Sequence, residues 1–506
     1  MVDEYVDVVI VGAGLSGIGA ARHLQDNCPG KRFLILESRE AMGGTWDLFR
    51  YPGIRSDSDM YTLGYKFKPW TEGKAIADGP SILKYINETA SETGIDEHIR
   101  YQRKVLSADW SSEDATWSVM TEHTATGETS TIRCNFLQVC AGYYNYEQGY
   151  LPEFKGYDDF EGTLVHPQHW PEDLDYSGKK ILVVGSGATA VTLVPELAKQ
   201  AEHVVMLQRS PTYMAPFPDV DKVARFLQWL LPAKMAYAII RWKNIRFQRF
   251  IYWQSRKTPG LLRWRILRMQ KKELDKGVID FDKHLVPRYD PWDQRICLVP
   301  NGDLFESINE GKASIVTNTI DTFTQDGIRL SSGEELKADI IVTATGLDLC
   351  VMGDVQVSVD GEVVDASEKF SYKSMMFSDV PNLVSTFGYI NASWTLKSDL
   401  TAEYACRVIS HLDETGMRQA TPRLKASEKG MSGGDWISGF SSGYIQRKTH
   451  MLPKQGEHMP WLNTQNYLLD KKVIGDGPVD DGYLQFTNPA GASERATDQQ
   501  ADKTAA

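Results

Sequence analysis

The chain has no cysteine pair spaced as CxxC; its six cysteines stand singly at 28, 134, 140, 297, 350 and 406. That spacing excludes a zinc ribbon or a thioredoxin-type motif and suits reduced thiols in a cytoplasmic setting. Positive charge is in short supply, with 55 Lys and Arg against 67 Asp and Glu, a net of −12. A general nucleic-acid binder needs a basic surface to neutralise phosphates, so that class is set aside. No uncharged apolar run reaches the roughly 18 residues of a membrane span. Asp3, Glu4 and Asp7 occupy the places where a signal peptide carries positive charge. No metal-ligand cluster and no Ser-His-Asp arrangement stands out. These absences predict a cytoplasmic protein that, at most, lies peripherally on the inner membrane surface.

What is present is a long chain with two glycine-rich turns. Its 506 residues, 42% of them hydrophobic, suggest about three domains. Cores of that size need neither disulfides nor a metal. Val8 to Val11 is a β-branched run of the kind a buried parallel strand requires. Gly12-Ala13-Gly14-Leu15-Ser16-Gly17 follows at once, then a helical stretch to about Gln25, then a second strand from Phe33 to Leu36 that ends at Glu37. This is a complete βαβ dinucleotide fingerprint. Gly12 permits the tight turn, Gly14 lets the backbone approach a pyrophosphate, and Gly17 lets the helix pack on the strand. Glu37 lies 20 residues beyond Gly17, where a carboxylate can accept hydrogen bonds from a ribose diol.

A second copy begins at Lys180. The strand Lys180 to Val184 leads into Gly185-Ser186-Gly187-Ala188-Thr189-Ala190, a helix to Lys199 and a strand from Val204 to Leu207. Ala190 replaces the third glycine, which the fingerprint allows. This copy ends not in an acid but in Gln208-Arg209-Ser210. A carboxylate would repel a 2′-phosphate, whereas Arg209 would bind one. The first turn therefore suits a free ribose diol, and the second suits NADPH. Two such sites in one chain predict a flavoprotein with resident FAD and NADPH as hydride donor. The expected fold class is α/β, with two Rossmann-like domains and a helical insertion.

Residues 222–272 hold 14 Lys or Arg and no acid, leaving a net of −26 elsewhere. Trp229, Trp242, Trp253 and Trp264 are interleaved with them. Two readings stand. One is a membrane-surface element. The other is an ordinary helical insertion whose aromatics enter a core. The tail 488–506 lacks aromatic and large aliphatic residues and is expected to be disordered.

Between the glycine turns runs Phe160-Glu161-Gly162-Thr163-Leu164-Val165-His166-Pro167-Gln168-His169-Trp170-Pro171. It matches the FxGxxxHxxxWP fingerprint of type I Baeyer–Villiger monooxygenases. The chain resembles these class B flavoprotein monooxygenases over about residues 5 to 487. It looks closest to the subgroup of ethionamide-activating and long-chain alkane monooxygenases. Gly142-Tyr143-Tyr144-Asn145-Tyr146, Tyr289 to Arg295, Gly388 to Lys397, Ser442 to Arg447 and Pro453 to Gly456 carry that closer likeness.

The resemblance implies an FAD domain from 1–148 and 380–487. An NADPH domain would span 149–379, with a helical insertion at about 215–285. The expected FAD residues are Gly12, Gly14, Ser16, Gly17, Glu37, Gly44, Thr45, Trp46, Asp57 and Val105. The expected NADPH residues are Gly185, Ser186, Gly187, Ala188, Thr189, Ala190, Arg209, Ser210 and Gln294. Arg295 matches the arginine that stabilises negative charge in the reaction, and Asp57 the aspartate that orients it. His166 is expected to be structural. Gln294 is a departure, because many members carry a lysine there that helps hold the 2′-phosphate. The implied reaction uses FAD, NADPH and O2 to convert a hydrophobic ketone to an ester, with sulfide oxidation as a side activity. Long-chain alkane hydroxylation is the alternative.

Overall fold

The computed structural model describes residues 4–489. The tail expectation falls almost wholly outside the described residues. Glu4–Val11 lies inside a nine-stranded sheet, parallel to Phe33–Leu36 on one side and to Thr129–Val139 on the other. Strand alternation splits its side chains between two cores. Val8 and Ile10 join the helix-covered core, while Val9 and Val11 join the one containing Trp110 and Trp117. Being buried on both faces explains the unbroken β-branched run. Helix α1 (Leu15–Asn27) covers one face.

The second sheet has five strands in the order Ala313–Thr317, His203–Gln208, Lys180–Val184, Ile340–Thr343, Thr163–Val165. All its pairings are parallel. Helix α2 (Ala188–Leu197) follows its glycine turn. Three further helices, α3 (Lys222–Leu230), α4 (Ala233–Lys257) and α5 (Pro259–Glu273), form the basic insertion. Helix α6 (Trp394–Thr415) returns to the first unit and packs on α1.

Two expectations need correction. The second unit does not run to 379: Gln356–Val359 pairs with Arg103–Ser111 and extends the first sheet. The return crossing lies near Gly346, beside the outgoing one. Tyr150 N donates to Gly346 O (3.1 Å), Asn145 N to Asp348 O (2.9 Å) and Cys350 N to Tyr143 O (3.1 Å). Backbone hydrogen bonding between the two passes satisfies polar groups that would otherwise be stranded in the junction.

The reading of a helical insertion whose aromatics enter a core holds only in part, because Trp229, Trp242, Trp253 and Trp264 all stay more than half exposed. Ala224, Ala236, Tyr237 and Ile240 enter the first unit's core. The buried Arg241 guanidinium donates to Tyr61 O (3.0 Å) and Gly64 O (2.7 Å) and faces Asp399 at 3.4 Å. The opposite face stays open, with Trp229 80% exposed.

Candidate active site

Both glycine turns open on one cavity of about 850 Å³ at the junction of the two sheets. The first turn has no room for side chains on its protein side. Gly12 has φ +98°, and a Cβ there would meet Cys140 O at 2.8 Å. A Cβ on Gly17 would sit 1.9 Å from Gly12 O. Gly14 is different: its nearest neighbour would be Gly44 Cα at 3.5 Å, so its outer side is open to a ligand. Glu37 is buried behind the turn, accepting from Ala13 N (2.8 Å) and Arg39 N (3.0 Å), and still reaches the cavity wall. Trp394 Nε1 donates to Ser16 Oγ at 2.8 Å, so α6 locks the start of α1. Gly44, Thr45, Trp46 and Val105 also line the cavity. A cradle of this kind, with α1 pointing its N-terminus inward, fits a dinucleotide pyrophosphate.

The second turn repeats the logic. Gly185 has φ +138°, and a Cβ there would meet Ala344 O at 2.3 Å, whereas Gly187 has nothing within 4 Å of its Cβ position. Ser186, Gly187, Ala188, Thr189, Ser210 and Gln294 line the cavity. Gly17, Gly185 and Ala190 pack behind their turns instead of forming its wall. Arg209 is exposed at the end of its strand and is also off the wall.

Arg295 and Asp57 come from the two different units and meet between the turns. Arg295 Nε lies 2.6 Å from Asp57 Oδ2, and each side chain keeps about a third of its surface open (30% and 32%). Both line the cavity. Burial works against the Arg295 charge, but the adjacent Asp57 carboxylate, with the phenols of Tyr444, Tyr143 and Tyr144, acts the other way, and the guanidinium is held above its ordinary pKa. Around this pair stand Tyr143, Tyr144 and Tyr444, whose phenols burial pushes upward, so all three keep their protons. Tyr143 and Tyr144 share a 2.8 Å hydrogen bond, and Tyr143 stacks on Trp394 with centroids 5.1 Å apart. These aromatics carried likeness in the sequence but no assigned role. Their only local signal was the density of tyrosine in 143–146 and its recurrence at 444.

The Phe160 to Pro171 segment lies outside the cavity wall. His166 caps Pro167–His169 by accepting from Gln168 N (3.2 Å). Its ring fills the space a side chain at Gly149 would need. Burial pulls its pKa below the ordinary value. Gln168 Nε2 donates to Asn145 O at 2.8 Å and His169 Nε2 lies 3.0 Å from Glu147 O. The fingerprint therefore grips the outgoing crossing between the two sheets.

Two open glycine turns on one cavity, with an ion pair between them, define a two-nucleotide oxidoreductase fold. Comparison narrows the class. The family described as flavin-binding monooxygenase-like matches residues 76–419, and an NAD(P)-binding Rossmann-like domain matches 10–69. The chain is 53% identical over 490 residues to the FAD-containing monooxygenase EthA of Mycolicibacterium smegmatis, covering 96% of this chain and 97% of that protein. It is 48% identical over 486 residues to the probable FAD-binding monooxygenase AlmA of an Acinetobacter species, with 96% and 97% covered. Among solved structures, an oxidized steroid monooxygenase bound to NADP superposes with a TM-score of 0.78 at 22% identity, over 96% of this chain and all of that one. A cyclohexanone monooxygenase bound to epsilon-caprolactone superposes with a TM-score of 0.73 at 19% identity, over 96% of this chain and 100% of that one. The chain belongs to the flavin-binding monooxygenase-like family.

Proposed function

We propose that this chain is an FAD- and NADPH-dependent monooxygenase of Baeyer–Villiger type acting on hydrophobic ketones. The overall change is ketone + O2 + NADPH + H⁺ to ester + NADP⁺ + H2O. The observation that carries the reading is the Arg295–Asp57 pair at 2.6 Å, in the cavity both glycine turns share. FAD belongs on the first turn, with Glu37 on its ribose diol. NADPH belongs on the second, with Arg209 and Ser210 toward the 2′-phosphate. The division into an FAD unit and an NADPH unit follows from that assignment. Bound FAD, reduced by NADPH, supplies activated oxygen.

The chain's own residues do the rest. Arg295 faces the negative charge that develops on the ketone oxygen, a contribution worth roughly 10² to 10³ in rate. Asp57 keeps the guanidinium charged and oriented. Tyr143, Tyr144 and Tyr444 wall the pair with neutral donors and limit water. His166 takes no part in proton transfer; it fixes the crossing between the units. Gln294 brings no charge to the phosphate, so the preference for NADPH rests mainly on Arg209.

Sulfides, with a lone pair to offer, are expected as side substrates. The likeness to AlmA supports a second reading, oxidation of long alkanes. An unactivated C–H bond offers neither a carbonyl carbon nor a lone pair, so we place ketones first. Substrates of this polarity collect in lipid, and the reading includes peripheral membrane contact through residues 222–272. Purified protein given NADPH, air, a medium-chain methyl ketone, an aryl methyl sulfide and a long alkane tests the chemistry by mass spectrometry. Ester from the ketone supports it. Alkanol with untouched ketone would overturn it.

A further inference from the structure

The helices α3 to α5 present two apolar faces, and the fold uses one. On α4, Tyr237, Ile240, Arg241 and Asn244 are buried against the first unit. On the opposite side of the same helix, Met235, Ile239, Trp242, Phe250 and Trp253 share one face and remain 41% to 59% exposed. The neighbours repeat the pattern. Phe226 and Trp229 on α3 are 56% and 80% exposed; Leu261 and Trp264 on α5 are 43% and 53% exposed. An open apolar patch of this extent marks an interaction surface.

Charge identifies the occupant. Arg225, Lys234, Arg246, Arg249, Lys257 and Arg268 are exposed and form no ion pair among the described residues. Two nearby acids are already engaged, Asp221 by Lys243 and Asp293 by Arg256 at 3.0 Å. Arg246 lies 4.8 Å from the Trp242 ring centroid and Arg268 5.1 Å from that of Trp264. Rings with cations beside them suit the boundary between acyl chains and anionic headgroups. A second copy presenting the same face would bring like charges together. Among the described residues no helix is long and apolar enough to cross a membrane, so the surface would lie along it.

We propose that the outward face of α3, α4 and α5 docks on an anionic phospholipid bilayer. Trp229, Trp242, Trp253 and Trp264 sit at the headgroup boundary, and the unpaired cations meet lipid phosphates. This rests on the membrane contact in the proposed function and adds the lipid chemistry and the residues that read it. The inner side of the same helices holds both loops of the reacting pair. Asn244 and Gln248 donate to Asp59, two residues from Asp57, at 2.8 Å each. Arg256 holds Asp293, two residues from Arg295.

The test is co-sedimentation of the FAD-loaded protein with two kinds of vesicle, phosphatidylcholine alone or with about a third phosphatidylglycerol. We expect anionic vesicles to bind at least about tenfold tighter, with the difference shrinking as salt is added. The variant W229S/W242S/W253S, altered only at exposed positions, should lose about tenfold or more of that binding. R225Q/R246Q/R249Q should lose the anionic preference, since each cation near such a surface is worth about fivefold. Equal binding to both vesicle types would overturn the anionic assignment while leaving membrane contact standing. Binding to neither would overturn both. A concentration-dependent dimer lost in the tryptophan variant would hand the face to a second copy. Ester formation from a water-soluble ketone without vesicles tests the chemistry separately.

Discussion

Replacing Arg295 with alanine should separate oxygen insertion from cofactor oxidation. The guanidinium is tied at Nε to Asp57, no other described residue forms an ion pair with it, and Arg295 lines the cavity. A preorganised donor aimed at a developing oxyanion contributes about 2.7 to 4 kcal/mol. A full charge at about 4 Å, with an effective dielectric near 20, gives about 4 kcal/mol by Coulomb's law. Both routes predict a loss of ester formation of roughly 10² to 10³. Neither glycine turn depends on Arg295, so NADPH should still be oxidised, with its electrons ending in hydrogen peroxide. The assay is therefore the ratio of ester formed to NADPH consumed, followed with peroxide. R295K keeps a charge but loses the planar fork and should recover only part of the ratio. D57N keeps the arginine and should fall between R295K and R295A. Full ester yield from R295A would refute the role. A colourless R295A protein would show instead that the pair holds the fold together.

Other outcomes follow from the same geometry. Gly17→Ala places a Cβ 1.9 Å from Gly12 O, so α1 must shift; bound FAD, read from absorbance near 450 nm, should drop about tenfold. Unchanged flavin content would show the turn to be more pliant than its packing implies. Arg209→Ala should raise the KM for NADPH about tenfold and leave that for NADH nearly alone. Gln294→Lys should move the NADPH/NADH ratio the other way; an unmoved ratio in both would place the 2′-phosphate elsewhere. Lys397 and Asp470 form a buried pair at 2.9 Å, each 2% exposed. Lys397→Met leaves the carboxylate unpaired, a cost of about 3 to 5 kcal/mol, so the thermal midpoint should fall by several degrees. An unaltered midpoint would mean that Tyr389, which donates to Asp470 at 2.7 Å, suffices.

Much of this protein was legible one segment at a time. The two glycine turns announced themselves because strand, turn and helix make demands that lie within a few residues. Gly12 and Gly185 need positive φ, and Gly17 needs an absent side chain. The sign of the residue closing each βαβ unit, Glu37 or Arg209, could likewise be read in place. The insertion was harder. Its periodicity marks apolar faces but does not say which face meets protein, and α4 has two. Only packing shows that Tyr237 and Arg241 turn inward while Trp242 and Trp253 turn out. The boundary at 379 was misplaced for a related reason: nothing local to Gln356–Val359 says which sheet it joins until Arg103–Ser111 is seen beside it.

The sequence by itself therefore determined the class of fold, the two nucleotide turns and the charge each offers, since short stretches of backbone impose those constraints. Tertiary structure decided how Asp57 and Arg295, paired in the sequence only through the family resemblance, meet at 2.6 Å, that three tyrosines surround them, and that one face of a basic helix stays uncovered. Those facts depend on how two sheets are set against each other, and contacts between distant segments leave no periodic trace in the chain.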